Sequence, residues 1–264
     1  MILALKLVLT PALIGVATVV GRRFGPSISG WLVGLPFTSG PVSLFLALEQ
    51  GTSFAAAAAA GSIGGVAASA VFAVAYATMA RHSGWPASLT VASLAFAAAV
   101  VGLRALPLDS GFPLPLLALY AGGVAAAIAG IRLIPPPDIL EQAPEAPRWD
   151  LPVRMFVATG LVILITSAAP LLGPKLSGLL TTYPVYAGVL AVFAQAQRGG
   201  AAAVQVVRGL CYGILAFATF FLAIGALVDR AGILPAFLAA AAGAIFVQAV
   251  TLTRVRKGSL SPTA

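Results

Sequence analysis

Pro36 and Pro184 stand 148 residues apart, and hydroxyl-bearing side chains gather at each: Thr38, Ser39 and Ser43 at the first, Thr181, Thr182, Tyr183 and Tyr186 at the second. A proline has no N–H, so inside a helix it frees the carbonyl four residues earlier, here Leu32 (36 − 4) and Leu180 (184 − 4), while Pro41 does the same for Phe37 (41 − 4). Freed backbone groups cannot face lipid unsatisfied, and they persist where protein or a water-filled cavity covers them. Such atoms suit recognition of a solute rather than bond-making. Packing is the competing explanation. Gly30 and Gly34 form a G-x-x-x-G, and Gly40, Gly178 and Gly188 would also let helices approach closely.

Basic residues are the next candidates. Arg208 falls inside a long apolar run, where a charge is costly and faces a cavity or a partner, making it a candidate contact for an anionic group. Lys6 and Arg154 sit near helix starts, where snorkelling to the interface is the simpler reading. No Asp or Glu falls in the middle of an apolar run, and the lone His82 lies in a basic loop, which disfavours a carboxylate-driven proton relay. H-E-x-x-H and G-x-S-x-G are missing, so no enzyme, cofactor or metal site is expected. Cys211 is alone, which excludes an intrachain disulfide.

What positions these residues is a duplication. Gly25 to Pro36 (GPSISGWLVGLP) aligns without a gap on Gly173 to Pro184 (GPKLSGLLTTYP), and the offset of 148 (173 − 25) also pairs Gly40 with Gly188, Gly51 with Gly199, Gly61 with Gly209, Gly65 with Gly213 and Phe72 with Phe220. Ungapped coincidence of Gly, Pro and Phe is a repeat signature. With 60% hydrophobic and 8% charged residues and a mean hydropathy of +1.05, the chain lacks the polar side chains to cover a water-soluble core. The +8 charge lies singly between apolar runs rather than in a patch, which argues against nucleic acid and for topology anchors.

Nine apolar runs reach the roughly 20 residues a crossing needs: 2–20, 28–49, 53–80, 86–106, 113–134, 154–171, 176–197, 200–228 and 233–253. The third and eighth are long enough to tilt or break near Gly61/Gly65 and Gly209/Gly213. The first run resembles a signal peptide only superficially, since it has a repeat mate at 154–171. With the N-terminus outside, ten Lys or Arg lie inside against four outside, so an N-out, C-in chain is expected. Residues 135–150, with five prolines and with Asp138, Glu141, Glu145 and Asp150, then form a solvated cytoplasmic linker.

The expected organisation is all-α: a first repeat of four transmembrane helices (1–107), a linking helix (108–134), the Pro-rich acidic linker (135–153), a second repeat of four helices (154–257) and a tail (258–264). Four crossings return the chain to its starting side and the odd helix carries it over, so the repeats must be inverted about an axis in the membrane plane.

The stretch LSGLLTTYPVYAGVLAVFAQAQRGGAAAVQVVRG, with a Lys at position 6 of the first half, resembles the small GlpM-like inner-membrane proteins of bacteria. Those are roughly half-length chains that insert in both orientations and pair antiparallel. The resemblance implies two such units fused through a linking helix in a bacterial inner membrane. It covers mostly 176–209 and, more faintly, 28–61. Its basic positions correspond to Arg198 and Arg208, whereas the first copy has Gln50 and Ala60, and it brings no substrate with it.

A transporter for a small solute, anionic or amphipathic, working by alternating access with a site between the second and seventh runs, is the expected function. A membrane assembly protein and a lipid flippase are the alternatives. The expected partners are the bilayer and the solute, with homo-oligomerisation left open.

Overall fold

Residues 2–36, 39–104, 114–135, 147, 149–168 and 182–260 are described in the computed structural model of the chain. They form ten helices and no strand: α1 (Ile2–Phe24), α2 (Pro26–Val33), α3 (Ser39–Gln50), α4 (Thr52–Ala80), α5 (Trp85–Arg104), α6 (Leu114–Leu133), α7 (Asp150–Ala168), α8 (Val185–Arg198), α9 (Gly200–Ala231) and α10 (Ile233–Leu260). Five of them contain stretches long and apolar enough to cross a membrane: Thr52–Ala80, Trp85–Leu103, Leu116–Leu133, Gly200–Ala231 and Ile233–Val255. The chain is a multi-pass membrane protein by this measure. Apolar side chains also face outward, among them Leu94, Val101, Phe156, Leu234, Leu238 and Phe246, as lipid-facing surfaces require.

α4 and α9 form the centre. In their apolar windows 61% and 56% of residues are buried, against 22% in each of α5, α6 and α10. The two run antiparallel: Ser53 Oγ lies 3.4 Å from Asp229 Oδ1 at one end, and at the other Gly200 packs so tightly on the Ala80 carbonyl that a Cβ would overlap it. Both helices are continuous through Gly61/Gly65 and Gly209/Gly213, so the break allowed by their length does not occur. Gly65, Gly209 and Gly213 serve contact instead. α6 packs on both central helices, with Gly123 against Val66 of α4 and Gly130 against Cys211 of α9.

Among the described residues four helix junctions, at Gly25, Gly51, Gly199 and Gly232, depend on one backbone state, and two of them are repeat mates. Gly51 (φ 91, ψ 169) joins α3 to α4, and its repeat mate Gly199 (φ 83, ψ 177) joins α8 to α9. That region is essentially closed to residues with a Cβ, and it turns the chain from one helix into the next within a single residue. Between helices in lipid the hydrophobic effect supplies no attraction, so close van der Waals approach of small residues holds the bundle. α2 illustrates this. A Cβ on Gly30 would overlap the Val206 carbonyl of α9, and one on Gly209 would overlap the Ser27 carbonyl of α2.

Candidate functional site

The expected interrupted helix is present in the first half. α2 and α3, of 8 and 12 residues, are each too short to cross alone, and the chain between them passes through Gly34, Leu35 and Pro36. The consequence expected of Pro36 does not follow, however. The Leu32 carbonyl accepts from Leu35 N–H at 3.2 Å, and that of Trp31 accepts from Gly34 N–H at 3.3 Å and from Gln248 Nε2 at 3.0 Å. The last carbonyls of α2 are thus closed by a tightened final turn and by α10, not left for a cavity. Pro41 is the third residue of α3, in the first turn where a proline is tolerated.

Pro184 stands directly ahead of a helix. It is the N-cap residue of α8, and its carbonyl accepts from Gly188 N–H at 2.8 Å; Pro36 accepts from Gly40 N–H at the same 2.8 Å, and both partners are repeat mates. Leu180 and Phe37, whose carbonyls were expected to be freed, and Thr38 and Thr181 lie outside the described residues.

The remaining candidates separate into groups. Thr182 is buried beside Gly65 of α4, where a Cβ would overlap its side chain, and its carbonyl accepts from Ser69 Oγ at 2.9 Å. Tyr183 Oη lies 2.7 Å from Ser93 Oγ of α5, and its ring meets Phe72 and Phe96 edge-on at 5.6 and 5.2 Å. Tyr186 Oη donates to Thr10 Oγ1 of α1 at 3.1 Å. Ser39 and Ser43 are half-buried at the start of α3, next to Gly40 and its contact with Phe220. Arg208 is half-buried in α9, with a buried Nε that has no hydrogen-bond partner among the described residues. Thr182, Tyr183 and Tyr186 therefore assemble against α1, α4 and α5, while the first-copy serines lie on α3, which packs on α4.

Between the halves the contacts come in exchanged pairs. Gly34 of α2 meets Gly213 of α9 backbone to backbone, and Thr182 meets Gly65 of α4; adding 148 to Gly34 gives Thr182, and subtracting it from Gly213 gives Gly65. A Cβ on Gly40 would lie 3.3 Å from Phe220 Cζ, and one on Gly188 would lie 3.7 Å from Phe72 Cζ, again with both partners displaced by 148.

A second polar cluster joins α1, α7 and α8. Asp150, expected to keep the linker solvated, is 0% exposed. Its Oδ2 accepts from Arg22 at 2.7 Å, and its Oδ1 accepts from Arg154 Nε at 2.8 Å and from Gln197 Nε2. Arg154, expected to snorkel, is 7% exposed; it also donates to Gln197 Oε1 at 3.2 Å and stacks over Phe193 at 4.7 Å. Asp150 begins α7, ahead of its apolar run. Burial raises its pKa, but hydrogen bonds from Arg154, Arg22 and Gln197, with the Arg154 charge, outweigh that and hold the carboxyl below its ordinary value. A buried carboxylate between two guanidiniums is a structural tie, and no reaction is set up there.

Sequence reasoning missed Thr10, Ser69, Tyr76, Ser93 and Gln197 as partners. Ser69 had a signal: with Gly65, Phe72 and Tyr76 it lies on one α4 stripe (i, i+4, i+7, i+11). Among the described residues no group of His, Cys, Asp and Glu could hold a metal ion. No protein-family model, no curated protein and no solved structure matches the chain.

Proposed function

We propose that the protein is a transporter for a small solute, built of two inverted four-crossing repeats joined by α6, with nine crossings, the N-terminus outside and the C-terminus inside a bacterial inner membrane. The exchanged contacts carry the reading. Gly34–Gly213 with Thr182–Gly65, and Gly40–Phe220 with Gly188–Phe72, are what a two-fold relation between the halves would produce, and the antiparallel course of α4 and α9 supports an axis across the helices, as inverted repeats have in the membrane plane. Interrupted elements at matching positions of inverted halves are where transport folds place solutes. Pro36, Thr38, Ser39, Ser43, Thr181, Thr182, Tyr183, Pro184, Tyr186 and Arg208 are its candidate contacts. Kinship to the GlpM-like proteins as a fused pair is part of the same proposal.

One observation favours the assembly-protein reading: the polar groups are bonded within the protein, the hydroxyls of Tyr183, Tyr186 and Ser69 to their neighbours and the carbonyls of Trp31 and Leu32 to the turn after α2 and to α10. Access separates the two. Cysteine placed by Ser39→Cys or Thr182→Cys in a Cys211→Ser background should react with a membrane-impermeant thiol reagent in the transporter. Folded protein inert from both sides of the membrane would leave only the packing role.

A further inference from the structure

We infer that Tyr76, Tyr183 and Ser93 form a seat for a neutral hydroxyl- or amide-bearing group of the solute, walled by Phe72 and Phe96 where α4 and α5 meet the start of α8. This refines the transport reading and rests on it for the seat's purpose. Tyr76 is 0% exposed, yet its Oη has no hydrogen-bond partner among the described residues. A phenol buried that way loses its bonds to water and gains none, a cost that native cores avoid unless another molecule completes the bond. Phe72 joins the members: its ring centroid is 5.9 Å from that of Tyr76 and 5.6 Å from that of Tyr183. Tyr183 in turn shares a hydrogen bond with Ser93 at 2.7 Å, and Phe96 closes on it at 5.2 Å.

The lining selects the ligand class. Three hydroxyls among aromatic faces offer donors and acceptors without a formal charge, so an ion entering there would be desolvated without a counter-charge. The guanidiniums of Arg22 and Arg154 are already committed to Asp150 at the end of α1. The seat draws on both halves, and its symmetry-related counterpart is apolar: the mates of Tyr76 and Tyr183 are Ile224 and Leu35. Recognition is therefore assigned to one of the two related places.

Acetamide and acetate, nearly identical in shape, test the assignment as probes. Thermal melting of the full chain in detergent is read with each probe for the wild type, Tyr76→Phe, Ser93→Ala and the control Tyr120→Phe, whose hydroxyl bonds Thr219 elsewhere. Acetamide at tenfold excess over its Kd should raise the wild-type and control midpoints by roughly 2–3 °C relative to acetate, and the rise should vanish in Tyr76→Phe and Ser93→Ala. An equal response in wild type and Tyr76→Phe, or a response to acetate instead, overturns the seat. Entry of labelled acetamide into proteoliposomes is scored separately: a melting shift without entry keeps the seat and removes transport, while entry unaltered by Tyr76→Phe keeps transport and removes the seat.

Discussion

Gly34 and Gly213 touch main chain to main chain, and a Cβ on either would overlap the other's helix. Neither partner is a side-chain tip that can swing away, so α2 and α9 must separate if either residue grows. Gly213→Ala should cost about 1–3 kcal/mol and lower the melting midpoint in detergent. Gly160→Ala is the control, because nothing lies within 4 Å of that position and α7 is helical there; it should be neutral or slightly stabilising. Equal behaviour of the two variants would refute the close approach.

Asp150 pairs with the buried Arg154 and with the exposed Arg22, so its loss leaves like charges together. Asp150→Asn should destabilise the protein by about 3–5 kcal/mol, the usual consequence of removing one partner from a buried pair. Arg154→Gln in the same chain should recover part of the loss. A double-mutant cycle on thermal midpoints measures the coupling, and strict additivity would contradict the geometry.

The same carboxylate predicts a pH response. Its folded-state pKa is depressed, so its contribution is full above the unfolded value near 3.9 and is lost as pH falls through the lower folded value. Melting midpoints should therefore decline more steeply below about pH 4 in the wild type than in Asp150→Asn. Parallel profiles would show that Asp150 is not held this way.

Orientation is open to a direct measurement. Reporter fusions after Gly111, after Ala143 and at the C-terminus should read outside, inside and inside, as the Lys and Arg distribution requires. A C-terminus found outside would remove the inverted arrangement together with the orientation.

The helices were legible in the sequence because uninterrupted apolar length is a strong local signal. Run 53–80 is helix Thr52–Ala80, run 113–134 is Leu114–Leu133, and the proline-marked run 28–49 divides into α2 and α3. What proline does at each point was not legible. Pro41 in a first turn and Pro184 at an N-cap look the same in sequence as prolines in a helix interior, and only the hydrogen bonds separate them. The burial of Asp150 was equally hidden. Its partners Arg22 and Gln197 are 128 and 47 residues away, and composition near residue 150 reads as a polar linker.

That separation in sequence sets an order in time. At about 5–20 residues per second of synthesis, the 128 residues between Arg22 and Asp150 take roughly 6–26 s to make, and throughout that interval the α1 guanidinium has no carboxylate waiting for it. The glycine face of α2 is vacant as well, since Gly30 and Gly34 pack on α9, which is made later still. The nascent first half thus resides in the bilayer with its tightest contact surface uncovered. A gene truncated before α7 should yield a short-lived product that quality-control proteases remove, whereas co-expression of 144–264 with 1–143 should rescue it, the later-made half acting as the chaperone of the earlier.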